Sequence, residues 1–568
     1  MSIIFVVILS IILFTLGYFF YGAFLTRLFQ LNADQKTPAH IFENNQDFIP
    51  AEPYYLLGQH LSAIAAAGPI VGPILAGMWF GWMPTFVWII LGGILIGGVH
   101  DMATLVASIR HQGKSIAEVI KENIGRRAFV LFLLFLWFSL VYIITAFTDI
   151  TSSTFVDETR GAGVASASMM YLLLAVIMGI ILRLFPLRLS VATLIFTPMI
   201  FLCIYLGPLL PLKIPSLPGC DLHTTWNITL LIYCFLAAVM PVWLLLQPRG
   251  YLGGFFLTFT AGLSFLGIMI GTFSQHFIVQ YPAFKSWSNP QGLPIFPILF
   301  TTVACGACSG FHCLISSGTT SKQLAREPDA RLVGYGGMLL ESFVAVIALT
   351  TLMILGTQET ESLKDPNQIY ANGIALFLSS FGINRELALN FALLAFATFV
   401  YDTLDVATRL GRYIFEELTG WRGRWSPVLA TAITLILPLV FLTHPIKDPN
   451  GMTIPSWKIF WTVFGSSNQL LAAIVLLGLS LWLFRTKRVF WVTLLPACFM
   501  TVVAIMSLLV IIKPWILNVF LKGEKGFDPL GGTAGILLIL AVFLIIEGLM
   551  NFFLLNRISS FPIASKNS

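Results

Sequence analysis

Long apolar runs recur from one end of the 568-residue chain to the other, and they limit what it can fold into. Each run exceeds the roughly 17 residues that an α-helix needs to cross a hydrocarbon core. Charged residues make up only 10% of the chain, whereas soluble domains carry about 25%. The sequence therefore predicts an all-α polytopic membrane protein, with one transmembrane domain over residues 1–568.

Hydropathy and charge breaks predict about fifteen transmembrane helices. Eight are expected at about 3–26, 56–80, 84–109, 128–155, 166–182, 189–210, 226–246 and 251–275. Seven more are expected at about 295–318, 332–357, 387–408, 427–443, 456–484, 489–512 and 532–554. Residues 366–382 are amphipathic and are expected to form an interfacial helix. We divide the chain into an N-terminal extra helix with its loop (1–55), a core (56–484) and C-terminal extra helices (485–568).

The distribution of basic residues predicts the orientation. With the N-terminus outside and alternating loops, 22 of the 32 lysines and arginines fall on the cytoplasmic side, as expected for membrane proteins. We therefore expect a bacterial inner-membrane protein with a cytoplasmic C-terminus, with the 110–127 loop inside and the 211–225 loop outside. The net charge of +6 then reports orientation and does not indicate nucleic-acid binding.

Two predicted spans are interrupted by residues that disfavour a helix. The second span contains two Gly-Pro pairs, Gly68-Pro69 and Gly72-Pro73. Proline removes a backbone donor and clashes with the preceding turn, and glycine lowers helix propensity by about 1 kcal/mol. The ninth span has small and hydroxyl residues around one imidazole, His312. We predict unwound helix at Gly68–Pro73 and at Gly306–Gly310; a proline kink and close helix packing are the alternatives.

The two interrupted spans run in opposite directions in this topology. That pattern indicates an inverted-repeat secondary transporter that binds its solute between the breaks, near the middle of the membrane. Half-helix N-termini would then offer backbone donors to a carboxylate. The predicted solute-binding residues are Gly68, Pro69, Gly72, Pro73, Gly306, Ser309, Gly310, His312, Ser316 and Ser317.

Short motifs spread over most of the chain resemble one known family. They include Gly58-Gln59-His60, Gly98-Val99-His100-Asp101, Ser309-Gly310-Phe311-His312, Gly334-Tyr335-Gly336, Asp405-Val406-Ala407-Thr408-Arg409 and Phe464-Gly465-Ser466-Ser467-Asn468-Gln469-Leu470. In these stretches the chain is similar to the carbon starvation protein A (CstA) family, described as peptide and pyruvate uptake carriers. The resemblance implies a core like that of the amino acid–polyamine–organocation superfamily, with two inverted repeats. Gln59 departs from the family pattern, in which a histidine is expected beside His60.

Ionisable residues inside the predicted spans are candidates for proton coupling, because an unpaired charge there is costly. The candidates are His60, Asp101, Asp149, Glu341 and Asp405. Structural roles are the alternative: Asp405 precedes Arg409 by one turn and is expected to pair with it, and Asp149 has threonines at 145, 148 and 151 as possible hydrogen-bond donors. Histidine changes charge near neutral pH, with an unperturbed pKa of about 6.5.

These features predict a secondary active transporter for a small carboxylate-bearing nutrient, either a peptide or amino-acid-like solute or pyruvate. Its coupling ion is expected to be the proton, with sodium as the alternative, and membrane lipid is its other partner. A nutrient sensor that binds the solute without transporting it is the rival, although short loops leave no output domain. The sequence indicates no enzyme, cofactor or metal site: a G-x-x-x-x-G-K-[ST] loop is absent, and Cys305, Cys308, His312 and Cys313 do not converge on one helix face.

Overall fold

The computed structural model describes the chain except for residues 45–47, 66, 124, 186, 242, 275, 364, 445–454, 523–528 and 560–568. The side chains of 401, 402, 518–522, 529 and 551–559 also lie outside the description, and Asp402 is among them. The described part is all-helical, and its only β-structure consists of isolated bridges. This confirms the predicted fold class.

Twenty helices carry the fold. The first ten are α1 (Ile3–Phe29), α2 (Pro53–Ile64), α3 (Gly68–Phe80), α4 (Trp82–Arg110), α5 (Ile116–Asn123), α6 (Arg126–Phe155), α7 (Gly161–Leu184), α8 (Leu189–Leu209), α9 (Leu222–Val239) and α10 (Leu246–Ser274). The second ten are α11 (Ile295–Thr302), α12 (His312–Gly318), α13 (Arg331–Ile354), α14 (Thr357–Leu363), α15 (Pro366–Ser379), α16 (Arg385–Thr419), α17 (Ser426–Thr443), α18 (Ser456–Arg485), α19 (Trp491–Lys522) and α20 (Pro529–Ser559). One-turn helices at Pro38–Ile41 and Thr320–Lys322 lie in connections.

Thirteen of the described helices are long and apolar enough to cross a membrane. The pair α2 and α3 gives a fourteenth span, bent by 48° at its break. Of the fifteen predicted spans, only 295–318 does not appear among these fourteen. It consists of α11 and α12, which have eight and seven residues and are too short to cross separately.

The centre of the bundle is formed by α13, α16 and α18. In their most apolar stretches 89%, 88% and 94% of the residues are buried, whereas α8 has only 22% buried and lies at the edge. The amphipathic segment 366–382 also belongs inside. Its helix α15 packs against α3, α10, α13 and α16, so the expectation of an interfacial helix is wrong. Glycines allow this burial, since a Cβ on Gly373 would lie 2.2 Å from Thr351.

Helix ends follow local chemistry. The Asp221 side chain accepts a hydrogen bond from Thr224 N (2.8 Å) and caps the start of α9. Gly81 separates α3 from α4 with φ of 98°, and a Cβ there would lie 2.4 Å from the Ala283 carbonyl oxygen. This position therefore requires glycine.

Two arginines that the orientation count assigned to a loop are buried on α16. Arg409 donates to the carbonyls of Ala237 and Met240 at 2.7 Å each, and Arg412 donates to that of Ala238 at 2.8 Å. They satisfy the carbonyls at the end of α9, where a helix presents negative partial charge. The expected Asp405–Arg409 ion pair is therefore replaced by arginine–carbonyl contacts.

Candidate functional site

Three ionisable side chains from distant parts of the chain meet inside the bundle. Nδ1 of His312, on α12, lies 2.7 Å from Oδ2 of Asp101, on α4. Nε2 of His312 lies 3.1 Å from Oε2 of Glu341, on α13. All three side chains have 0% exposure. We refer to Asp101, His312 and Glu341 as the buried triad.

The two carboxylates of the triad differ in their hydrogen bonding. Asp101 also meets Nδ1 of His100 at 2.7 Å, so each of its oxygens faces an imidazole. Neither oxygen of Glu341 has a hydrogen bond with good geometry among the described residues. Because Asp101 is held by Nδ1 of His312, the opposite nitrogen Nε2 faces Glu341. A single proton held between Nε2 of His312 and the Glu341 carboxylate would therefore form a hydrogen bond that joins the two groups.

Close packing between α4, α13 and the ninth-span break brings the triad together. Each carboxylate follows a π-helical turn, Gly93–Gly97 before Asp101 and Arg331–Gly336 before Glu341. A Cβ on Gly97 would lie 2.4 Å from the Ala307 carbonyl oxygen, and one on Gly334 would lie 3.0 Å from Met102 Cα. Glycine is needed here so that the backbones can approach. Such π turns inside α-helices are frequent at functional sites.

The ninth span is unwound between α11 and α12, over residues 303–311, as expected for Gly306–Gly310. Within the protein, a side chain and backbone carbonyls provide hydrogen-bond partners for the amides at this break. Asn468 on α18 accepts from Phe311 N at 2.8 Å and exchanges hydrogen bonds with the Ser309 hydroxyl. The amides of Cys313 and Leu314 bond to carbonyls three residues earlier. The expectation that this half-helix presents open donors to a carboxylate is therefore wrong.

We expect Asn468→Leu to lower the free energy of unfolding by about 1–3 kcal/mol, because the buried Phe311 amide loses its acceptor. Thermal unfolding of the purified protein in detergent measures the change. Ser467→Ala is the matched control, since the neighbouring hydroxyl donates to the carbonyls of Val463 and Phe464 on its own helix and not to the ninth-span break. Equal melting temperatures for Asn468→Leu and Ser467→Ala would contradict this role for Asn468.

The second-span break lies earlier than predicted. Ala65 is non-helical, and Gly68, Pro69, Gly72 and Pro73 all belong to α3. Pro69 is tolerated because the first turn of a helix has no intrahelical partner for its N–H groups. The prediction of unwound helix at Gly68–Pro73 is therefore wrong. The pair Gly68-Pro69 begins the second half-helix instead of ending the first.

Gly68 and Gly72 of the second span pack against the ninth span, and Gly310 of the ninth span packs against α18. A Cβ on Gly68 would lie 2.3 Å from Cys305 Sγ, and one on Gly72 would lie 2.5 Å from the Thr302 carbonyl oxygen. A Cβ on Gly310 would lie 2.4 Å from the Asn468 carbonyl oxygen. A larger side chain at these positions would therefore disturb helix packing.

The serines of α12 differ in their surroundings. Ser317 donates to the Cys313 carbonyl and accepts from Ile116 N at 3.0 Å, which ties α5 to α12. Ser316 lies one turn after His312 on the same helix face. Its buried hydroxyl has no hydrogen-bond partner among the described residues. Of the predicted hydroxyls, only that of Ser316 is free for a further ligand within the described part.

The other proton-coupling candidates have separate partners. Nδ1 of His60 lies 2.9 Å from the Thr320 hydroxyl. Asp149 accepts from Trp457 N at 2.9 Å and lies 3.5 Å from Nε2 of His223, so its neighbouring threonines are not its donors.

Asp405 forms an ion pair with Arg249 of α10 and accepts from the Tyr233 hydroxyl at 2.7 Å. Arg249 lies between the predicted spans 226–246 and 251–275, so its position in the sequence indicates a loop, whereas its side chain is only 1% exposed. Among the described residues no group of three or more His, Cys, Asp or Glu side chains is arranged to hold a metal ion.

Comparison with known proteins identifies relatives over most of the chain. The Escherichia coli protein named Peptide transporter CstA is 31% identical over 570 residues, covering 88% of this chain and 79% of that protein. The Escherichia coli Pyruvate/proton symporter BtsT is 30% identical over 592 residues, covering 88% and 80%. A Bacillus subtilis Peptide transporter CstA is 28% identical over 601 residues, covering 95% of each chain.

A mutant form of the manganese transporter from Eremococcus coleocola is similar at 14% identity, with 89% of this chain and 95% of that one covered and a TM-score of 0.44. The family model for Carbon starvation protein CstA matches residues 2–370 and 354–507. The matched ranges span well over half of the sequence and include every member of the buried triad. The chain belongs to the carbon starvation protein CstA family.

Proposed function

We propose that this protein takes up a small carboxylate-bearing nutrient, a peptide or pyruvate, together with protons and by alternating access. The printed names of its relatives support this solute class, since they include peptide transporters and a pyruvate/proton symporter. The observation that carries the proposal is the buried triad. A carboxylate that makes no well-aligned hydrogen bond among the described residues, beside an imidazole and at the junction of two broken spans, is suited to exchange a proton during transport.

In this proposal Glu341 is the group that gains and loses the proton. A buried carboxylate is stable when it is protonated or paired, and costly when it is neither. With a proton present, Glu341 and Nε2 of His312 share a hydrogen bond. When the proton leaves, the carboxylate loses that partner and favours rearrangement of α13 against α12. Asp101 positions His312 through Nδ1 and remains hydrogen-bonded in both states.

The solute is proposed to bind next to the triad, between the two half-helix pairs. Ser316 faces the same side of α12 as His312 and has a hydroxyl available for a carboxylate oxygen. Gly68 and Gly72 contribute by letting α3 lie close to the end of α11 and to the 303–311 segment. The solute and the proton site would thus share one small region, as coupling requires.

Accumulation in proteoliposomes tests this function. We expect labelled pyruvate or dialanine to accumulate when the outside is made acidic, and accumulation to collapse when the pH gradient is dissipated. Accumulation driven by a sodium gradient at equal pH would show that sodium, and not the proton, is the coupling ion. Solute binding without accumulation under either gradient would contradict transport and favour a sensor.

The proposed orientation in a bacterial cytoplasmic membrane places the N-terminus outside and the C-terminus inside. Residues 51, 110 and 323–327 lie at one end of the bundle, since Arg110 pairs with Glu327 and Ala51 N donates to the Gln323 carbonyl oxygen. The excess of basic residues in the connections at this end supports a cytoplasmic location.

We expect an impermeant thiol reagent added to intact cells to label Ser216→Cys but not Glu122→Cys. Both positions are exposed, and they lie in the loops assigned to opposite sides. The background carries Cys220→Ala and Cys498→Ala, because these native cysteines are at least partly accessible. Permeabilised cells provide the control, in which both positions should react. Labelling of Glu122→Cys from outside would overturn the orientation.

A further inference from the structure

A small cavity lies beside α2, next to His60. Its volume is about 50 Å³, and although most of its wall is apolar, polar side chains reach it from Gln59, His60, Ser62, Thr319, Thr320 and Gln323. A water molecule needs roughly 10–15 Å³ of such volume, so the cavity has room for about three. Polar groups from two separate segments of the chain distinguish it from a purely apolar packing defect.

Two buried polar atoms at this cavity need a partner. His60 is 1% exposed, and its Nδ1 is engaged by the Thr320 hydroxyl, whereas its Nε2 has no hydrogen-bond partner among the described residues. Oε1 of Gln59 is buried and has none there either. Buried polar atoms are nearly always satisfied by protein or by ordered water. The cavity is therefore suited to hold water that bonds to both.

His60 is also held between the two elements that carry the proton site. A Cβ on Gly337 would lie 3.1 Å from Cδ2 of His60 and 3.7 Å from Nε2. Gly337 is one helical turn before Glu341 on α13. Thr320, which contacts the other ring nitrogen, directly follows α12, the helix that begins with His312. The imidazole thus lines the cavity and adjoins α13 one turn before Glu341.

A larger groove continues from the cavity towards one end of the bundle. The groove has a volume of about 1250 Å³ and is lined by Leu57, Gly58 and Leu61 of α2, together with residues of α10. Gln323 lines both spaces. Its carbonyl oxygen accepts from Ala51 N at 2.9 Å, which fixes Gln323 at the boundary. This end is the one proposed to face the cytoplasm.

We infer that His60, the adjoining cavity and Gln323 form the inner proton-release path of the transporter. This inference rests on the proposed proton-coupled function. The proton leaves the Glu341 carboxyl group and is taken up, directly or through water, by Nε2 of His60, which leaves a carboxylate and an imidazolium. The imidazolium returns that proton from Nε2 to cavity water, and water carries it past Gln323 into the groove. The path needs no reactant except water.

Separating net transport from exchange tests this path. Net uptake driven by a pH gradient requires proton release inside, whereas exchange of labelled for unlabelled solute proceeds with the proton still bound. For His60→Gln we expect net uptake of labelled pyruvate or dialanine to fall at least about tenfold, as for loss of a positioned proton-transfer group. Exchange in the same proteoliposomes should stay within about twofold of wild type.

Two threonines provide a matched pair. Thr320→Val removes the hydroxyl that orients His60 and should also reduce net uptake while sparing exchange. Thr431→Val removes a hydroxyl on α17 that donates to the Pro427 carbonyl of its own helix and does not line the cavity, so both activities should be unchanged.

Wild-type net uptake in His60→Gln would overturn the path while leaving proton coupling by the triad intact. Equal loss of net uptake and exchange would also overturn it, because His60 would then serve solute binding or folding. If wild-type protein itself shows no dependence on the pH gradient, the proposed function fails first, and the two failures are thereby distinguished.

Discussion

Replacing Glu341 with glutamine should abolish accumulation driven by a pH gradient, with a fall of at least about tenfold. The glutamine amide has nearly the size of the protonated carboxyl group and can still donate towards Nε2 of His312, but it cannot release a proton. The variant should therefore insert and fold normally and still exchange solute across the membrane. Uptake of labelled solute into proteoliposomes, with and without the gradient, measures the effect.

Glu547→Gln is the matched control for this experiment. It makes the same chemical change in α20, away from the buried triad, and should leave accumulation unchanged. If Glu341→Gln accumulates solute against the gradient like wild type, Glu341 is not the coupling group. Asp101, the other carboxylate of the triad, would then be the next candidate.

Breaking the Arg249–Asp405 ion pair from one side should destabilise the protein by about 3–5 kcal/mol, because it leaves a buried charge without its counter-charge. Arg249→Met leaves the carboxylate, and Asp405→Asn leaves the guanidinium. The double variant Arg249→Met/Asp405→Leu should recover a large part of the loss, since neither charge remains. Thermal unfolding in detergent, analysed as a double-mutant cycle, measures these changes in the free energy of unfolding.

Arg183→Met is the control for loss of an arginine, because Arg183 is exposed and stacks only on Trp243. Its effect should stay below about 1 kcal/mol. Melting temperatures of both single variants equal to wild type would contradict the structural role of the pair. An Asp405→Asn variant that is fully stable but fails to accumulate solute would instead assign Asp405 to proton coupling.

Local sequence patterns predicted both broken spans and the position of the ninth-span break, but not the position of the second-span break or the partners of either. Gly306–Gly310 was correctly expected to be non-helical, because small residues and glycine disfavour helix there. The break predicted at the two Gly-Pro pairs lies before them instead, since proline is disruptive inside a helix but favourable in its first turn. Which of these occurs at Pro69 depends on where α3 begins. Asn468, which satisfies the ninth-span break, lies on a helix far along the chain.

The sequence by itself determined the helical membrane class, the approximate spans, the family resemblance and the set of ionisable residues inside the bundle. Hydropathy, helix propensity and residue type are local properties, so they can be read without a fold. Only the tertiary structure decided which ionisable groups meet. Asp101 and His312 are 211 residues apart and Arg249 and Asp405 are 156 apart, yet each pair is in direct contact. Such partners depend on the rotation and packing of whole helices, and Asp405 therefore faces Arg249 on α10 instead of Arg409 one turn away on its own helix.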